Sequence, residues 1–177
     1  MNEKLIIDLA GCSTQGESGI RCSYKHHPDN RGFDVLLEMV RFAMICRRCE
    51  AAPCVTACPR NALEKLPSRY NDAGVLKRHN MLCTGCGTCA LACPFGTVYT
   101  DLIPFPSSTC DLCKGRLKDG EKPLCVRTSD GRVDYTAVDP STRQDLVEVF
   151  DGIVARVADG AVWRPLLRDQ KPLEAGR

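Results

Sequence analysis

Cysteine is the residue type with the clearest chemical pattern in this sequence. There are 13 cysteines, at positions 12, 22, 46, 49, 54, 58, 83, 86, 89, 93, 110, 113 and 125. The N-terminal residues lack the basic stretch and apolar run of an export signal, which predicts a cytoplasmic protein. Because a reducing cytosol keeps thiols free, and because the count is odd, metal binding is favoured over disulfides.

The most specific motif spans residues 83–94 and reads C-x2-C-x2-C-x3-C-P. In this pattern the first three cysteines bind one [4Fe–4S] cluster, and the fourth, which precedes proline, binds a second cluster. Gly85 and Gly87 permit the tight loop that the motif needs. Structural zinc prefers two separated cysteine pairs around a tetrahedral ion, so this spacing disfavours zinc.

An expanded version of the same motif, C-x2-C-x4-C-x3-C-P, occupies residues 46–59. The two motifs therefore form a pair, and the exchange of fourth ligands predicts two clusters. Cluster A is assigned Cys46, Cys49, Cys54 and Cys93. Cluster B is assigned Cys83, Cys86, Cys89 and Cys58.

A third motif is incomplete, with C-x2-C-x11-C at residues 110–125 and Ser129 at its expected fourth position. The same spacing, started at Cys12, places its fourth position on Cys22. If these outer motifs exchange ligands as the middle pair does, Cys22 completes a third cluster. The set for this cluster C is Cys22, Cys110, Cys113 and Cys125.

The remaining set has a single thiolate and consists of Cys12, Gln15, Ser18 and Ser129. A neutral serine oxygen is a harder and weaker ligand than a thiolate, so we expect no fourth cluster. Cys12 is then a small buried hydrophobic residue. The sequence thus predicts three [4Fe–4S] clusters as cofactors.

The elements that position these cysteines are short. Strands are predicted at residues 4–9, 75–77, 98–100 and 132–138, where β-branched or apolar residues adjoin turn formers. Residues 33–45 are apolar enough for a helix or a buried segment. The last 52 residues lack cysteine, and their apolar residues recur at helical spacing over 140–158, which predicts one amphipathic helix. These elements predict an α+β fold.

The order of the motifs resembles the polyferredoxin-type iron–sulfur subunits of molybdenum or tungsten oxidoreductases, formate dehydrogenases and hydrogenases. The resemblance covers about residues 6–129. It extends beyond the cysteines to CRRCEAAPC at 46–54, to CDLCKGR at 110–116 and to KPLCV at 122–126. The sequence departs from the family pattern at Gln15, Ser18 and Ser129.

The resemblance implies two fused bacterial-ferredoxin-like modules within residues 1–129. The inner module would comprise about 46–100, and the outer module about 1–32 and 101–135. Residues 130–177 would form a C-terminal extension with the helix at about 140–158.

A cubane held by four cysteines has no open iron site, so it transfers single electrons and does not activate a substrate. We therefore predict a non-catalytic subunit with no catalytic residues of its own. The resemblance implies that it relays electrons between a large tungsten or molybdenum pterin subunit and a ferredoxin, flavoprotein or other redox subunit. An anaerobic enzyme of the aldehyde oxidoreductase or benzoyl-CoA reductase type would fit. A hydrogenase or formate dehydrogenase complex is the alternative, and a stand-alone ferredoxin is a third possibility.

Composition disfavours other classes. The formal charge of +2 and the low aromatic content of 6% argue against a nucleic-acid-binding protein, and no apolar run is long enough for membrane insertion. Three clusters of charge −2 would give the holoprotein a charge of about −4. We expect basic residues beside the ligands to offset part of that charge and raise the reduction potentials: Arg47, Arg48, Lys114, Arg116 and Lys118.

Overall fold

The fold is described from a computed structural model, which covers residues 3–12, 18–24, 32–47, 49–66, 74, 76–96, 98, 110–143 and 145–157. The helices are α1 (Phe33–Cys46), α2 (Pro53–Thr56), α3 (Thr88–Ala92) and α4 (Leu124–Arg127). The strands are β1 (Glu3–Asp8), β2 (Leu63–Lys65), β3 (Leu76–Arg78), β4 (Val133–Ala137), β5 (Leu146–Phe150) and β6 (Ile153–Arg156). The α+β class is confirmed.

A four-stranded sheet with the order β4-β1-β6-β5 joins the N-terminal strand to the C-terminal part of the described residues. β1 pairs antiparallel with β4 and parallel with β6, while β5 and β6 form an antiparallel hairpin. Lys4 Nζ lies 2.9 Å from Glu148 Oε2 and links β1 to β5 across the sheet. The predicted strands at 4–9 and 132–138 are confirmed as β1 and β4.

The predicted helix over 140–158 is wrong. Described residues in this range form a 3-10 turn at Pro140–Thr142, followed by β5 and β6. Gly152 has a φ of 71°, which ends any helix there and permits the tight turn between the strands. Val, Ile and Phe pack well in strands, and the apolar residues on both sides of this turn explain the false helical spacing.

A second, two-stranded sheet is the antiparallel hairpin of β2 and β3. The prediction at 75–77 corresponds to β3, whereas β2 was not predicted. Val98 is buried but lies in no strand, and residues 99–100 of that predicted strand lie outside the described residues. The apolar segment at 33–45 is the helix α1.

Helix α1 connects two hydrophobic cores. Phe33, Leu36 and Val40 belong to the core beneath the four-stranded sheet, while Phe42 and Cys46 belong to a second core with Leu63 and Leu76 of the hairpin. None of the helices in the described ranges is long and apolar enough to cross a membrane. The domain boundary at 129/130 stays a prediction, although β4, β5 and β6 beyond it share a sheet with β1.

Candidate iron–sulfur centres

The four cysteines assigned to cluster A line one cavity. Two helices supply two of these cysteines. Cys46 is the last residue of α1, and Cys54 lies in α2, which begins at Pro53. Proline suits the first turn of a helix because it has no N–H that would need a partner there. The complete cysteine lining of this cavity is Cys46, Cys49, Cys54 and Cys93.

Lys65 lies beside this set of cysteines. Its Nζ lies 3.4 Å from Cys46 Sγ, and it also donates to the backbone oxygens of Cys46 and Gly74. These bonds hold the ammonium group against a ligand sulfur. A cation at this position stabilises added negative charge, and an N–H···S bond has the same effect on an iron–sulfur cluster.

Replacing Lys65 by methionine is therefore expected to lower the reduction potential of cluster A by about 120 mV, given a unit charge roughly 6 Å away at an effective dielectric constant of about 20. Redox titration followed by EPR measures this shift. Lys77→Met is the matched control, because Lys77 lies on the same hairpin and pairs with Glu64. Equal shifts in both variants would contradict a specific role for Lys65.

The cysteines assigned to cluster B line a second cavity. Cys58 follows α2, Cys83 and Cys86 come from the loop that leads into α3, and Cys89 lies in α3. Ala62 N donates to Cys58 Sγ at 3.2 Å, and Cys86 Sγ lies 3.3 Å from Thr88 Oγ1. The cysteines that line this cavity are Cys58, Cys83, Cys86 and Cys89.

The crosswise placement of these cysteines follows from two short helices. α2 carries Cys54 and ends just before Cys58, while α3 carries Cys89 and is capped by Cys93. Each helix thus places one cysteine at cavity A and one at cavity B. This is the exchange expected from the sequence motif.

A third cavity has the predicted set for cluster C in its lining: Cys22, Cys110, Cys113 and Cys125. Cys22 reaches it because Gly32 has no side chain. A Cβ placed on Gly32 would lie 2.7 Å from Cys22 Cβ, closer than real Cβ contacts allow. Backbone N–H groups of Tyr24 and Leu112 donate to Cys22 Sγ and Cys110 Sγ, each at 3.4 Å.

Arg116 joins the two segments that contain Cys22 and Cys113. Its Nη2 donates to both carboxylate oxygens of Asp111, and its Nη1 donates to Ser23 O at 2.9 Å. The guanidinium also lies 5.3 Å from the centre of the Tyr24 ring, a distance typical of cation–π contacts. Because Asp111 Oδ1 in turn accepts from Cys113 N, one side chain fixes both loops.

Replacing Arg116 by glutamine is expected to lower the potential of cluster C by tens of millivolts, since the Asp111 carboxylate loses its partner beside the cluster. The loops should also open more readily, so a chelator should bleach cluster C faster. Arg116→Lys keeps the charge and should restore most of the potential but not the chelator resistance. Lys118→Gln is the surface control. An unchanged potential and bleaching rate in Arg116→Gln would contradict the role.

The chemistry of the donors fits iron–sulfur clusters. Burial raises the pKa of the Cys110 thiol to about 11 and that of Cys125 to about 12, and the neighbouring cysteines add to both shifts. Burial also raises the pKa of Cys46 and Cys54. Buried thiolates at such close quarters need a strong cationic partner, and iron bound to four thiolates provides it. At exposed Cys86, bonds from Thr88 lower the pKa.

The described residues of the fourth set are held by arginines. Cys12 and Ser129 are buried, and the Ser129 hydroxyl accepts from Val133 N. Arg132 donates from Nε to Ser129 O and from Nη1 to Ser18 O, at 2.8 and 3.2 Å. The polar atoms of Ser129 are therefore used within the fold. Gln15 lies outside the described residues.

Sequence reasoning missed Lys65 and Gly32, because each acts through a contact distant in the sequence. Arg116 was expected to contribute charge but not to join two loops. Arg47 was expected to offset cluster charge. It is buried, donates to Glu148 O at 3.1 Å and lies 5.9 Å from the Phe150 ring centre, so it also connects α1 to β5.

An α+β protein that gathers three sets of four cysteines around three cavities has the features of a ferredoxin-like iron–sulfur protein. Among the residues that the structure describes, no three His, Cys, Asp or Glu side chains are arranged to hold a single metal ion. The family model of the 4Fe–4S dicluster domain matches residues 37–138. The protein belongs to this family, whose domain carries electrons and is not itself catalytic.

Curated relatives share this region. The protein is 34% identical over 91 residues to chlorate reductase subunit beta of Ideonella dechloratans, a match that covers 51% of its own length and 26% of the relative. It is 35% identical over 91 residues to selenate reductase subunit beta of Thauera selenatis, covering 51% and 27%. Against a subunit of the anaerobic dimethyl sulfoxide reductase of Haemophilus influenzae, identity is 32% over 95 residues, covering 53% and 44%. The protein thus spans less than half the length of these relatives.

Proposed function

We propose that this protein is an electron-transfer subunit that carries three [4Fe–4S] clusters and relays single electrons between a catalytic oxidoreductase subunit and another redox partner. The observation that carries the proposal is the grouping of twelve cysteines into three sets of four around separate cavities. The clusters supply reversible one-electron chemistry. The polypeptide supplies ligands, N–H···S bonds and nearby cations that set their potentials.

The order of the relay is C–A–B. Phe33 and Leu36 of α1 line cavity C, while Phe42 and Ile45 line cavity A. Phe42 lies nine positions after Phe33, and Ile45 lies nine positions after Leu36. Nine positions correspond to about 13 Å along the axis of α1. Cavities A and B are adjacent because α2 and α3 contribute to both. Cluster A is therefore the middle cluster of the relay, and clusters B and C are its two ends.

The catalytic partner in this proposal is a large molybdenum or tungsten pterin subunit. The named relatives support this class, because all three are subunits of chlorate, selenate and dimethyl sulfoxide reductases. Four further parts of the proposal rest on the sequence reasoning alone. They are tungsten as the metal, a partner of the aldehyde oxidoreductase or benzoyl-CoA reductase type, the division into two modules, and a cytoplasmic location.

Anaerobic purification with iron and sulfide counting tests the cluster number. About 12 irons and 12 sulfides per protein molecule are expected. A count of about 8 irons would contradict the presence of cluster C, and a count of about 16 irons would require a fourth cluster. Purification from the native host under the same conditions tests the partner: a large pterin subunit should co-purify in equal amounts, and its absence at full cluster content would indicate a stand-alone ferredoxin.

A further inference from the structure

The surface around cavity B exposes an unusual set of apolar side chains. Met81 is 98% exposed and Leu91 is 90% exposed, and Leu82 is also exposed. Met81 lies two residues before Cys83, and Leu91 lies two residues after Cys89. Two residues of polypeptide span at most about 7 Å, so both side chains start close to the rim of cavity B. Exposed apolar groups concentrated at one place mark an interaction surface.

This surface coincides with an accessible part of the candidate relay. Cys86, a ligand of the proposed cluster B, is exposed, and Thr84 and Gly85 beside it are exposed as well. Electron tunnelling rates fall steeply with distance, so a partner that docks here places its own cofactor near cluster B with little protein between them.

The charge of the same surface indicates the kind of partner. Arg60 and Arg78 line cavity B, and its lining contains no carboxylate. Apart from Lys65, which contacts Cys46 at cavity A, residues 58–66 and 76–96 contain three lysines or arginines and one carboxylate, Glu64, a formal excess of +2. Lys77 pairs with Glu64, and Arg60 and Arg78 add positive charge at the rim of cavity B. A cluster of charge about −2 would balance this excess in the sum, but the two arginines still place positive charge at the rim of the cavity.

We propose that the face formed by Met81, Leu82 and Leu91 with Arg60 and Arg78, here called the cavity B face, docks a small acidic electron carrier. This inference rests on the proposed function. The carrier would present an apolar centre at its cofactor and acidic side chains around it. Electrostatic attraction of this kind accelerates encounter, and the apolar centre holds the two cofactors close during one-electron transfer from one cluster to the other.

The test uses the full, anaerobically purified holoprotein and an acidic two-cluster bacterial ferredoxin as the probe. Binding is measured by calorimetry at low and high salt, and electron transfer by stopped-flow mixing of the reduced holoprotein with oxidised ferredoxin. The variants are Met81→Asp with Leu91→Asp together, and Arg60→Glu alone. Lys118→Glu, an exposed cation on the loop after Cys113, is the matched control.

We expect both variants to weaken binding and slow transfer at least tenfold at low salt, and Lys118→Glu to stay within twofold. High salt should reduce the effect of Arg60→Glu. Unchanged binding and transfer in the variants would overturn the inference. So would a wild-type dimer in light scattering that Met81→Asp dissociates, or sedimentation with phosphatidylserine vesicles that Met81→Asp abolishes, because either result assigns the face to another occupant.

Iron content and the reduced EPR spectrum of each variant separate this inference from the proposed function. If about 12 irons are present and dithionite reduces the clusters, but ferredoxin does not bind, only the docking inference fails. If clusters are absent from the wild-type protein, the proposed function fails first.

Discussion

Replacing Cys22 by alanine is expected to remove about four of the roughly 12 irons per protein molecule and to leave clusters A and B spectroscopically unchanged. Cys22 is separated from the other cysteines of cavity C by almost 90 positions, yet it lines the same cavity. Without its thiolate one iron loses its protein ligand. Iron and sulfide counting with EPR of the dithionite-reduced protein measures the loss.

Cys12→Ala is the matched control, since Cys12 is the other cysteine of the N-terminal pair and is buried in the core beneath the sheet. This variant should retain all of the iron and lose only some stability. Full iron content in Cys22→Ala, or an equal loss in Cys12→Ala, would contradict the assignment of cluster C.

A second pair of variants tests the same position with the sulfur retained. Gly32→Ala places a Cβ against Cys22, whereas Gly19→Ala introduces a residue at a similar positive φ with nothing within 4 Å. Both variants have the backbone strain of a side chain at positive φ, and only Gly32→Ala displaces the ligand. We expect cluster C to be depleted in Gly32→Ala and complete in Gly19→Ala.

The second prediction with a large expected effect concerns Cys54 and Cys58, which lie four positions apart. Cys54→Ala is expected to disrupt cluster A and Cys58→Ala cluster B, although both belong to one sequence motif. If each motif bound its own cluster, both variants would damage the same one. Each should lose about four irons, or retain a cluster that is one iron short.

Lys65 identifies which cluster is lost, because it lies beside a cluster A ligand. The potential shift caused by Lys65→Met should persist when it is combined with Cys58→Ala and vanish when it is combined with Cys54→Ala. This is the logic of a double-mutant cycle applied to a reduction potential. A shift that persists in both combinations would contradict the exchange of ligands.

Much of the candidate site could be predicted because cluster motifs are local. Three or four thiolates within about ten residues enclose a cubane whatever the rest of the polypeptide does, so the spacing carries the information. The structure gathers each predicted set around one cavity, and ligation itself stays a proposal. The pairing of Cys22 with Cys110 came from the same spacing rule applied across the whole sequence.

The error at 140–158 has a different origin. Leu146, Val149, Phe150, Ile153 and Val154 fit a helical stripe, yet they belong to two strands joined at Gly152. β6 is buried on both faces between β1 and β5, so its sequence shows no alternation of apolar and polar residues. Gly152 within the stripe was the signal against a helix.

The sequence by itself determined which cysteines form sets, because each motif is a short loop whose backbone and sulfurs act together. Only the tertiary structure decided that α1 lines both cavity C and cavity A, that Lys65 and Arg116 lie beside cysteines of particular sets, and that exposed apolar side chains lie near cavity B. These features depend on contacts between residues far apart in the sequence, and such contacts arise when burial of the two cores brings distant segments together.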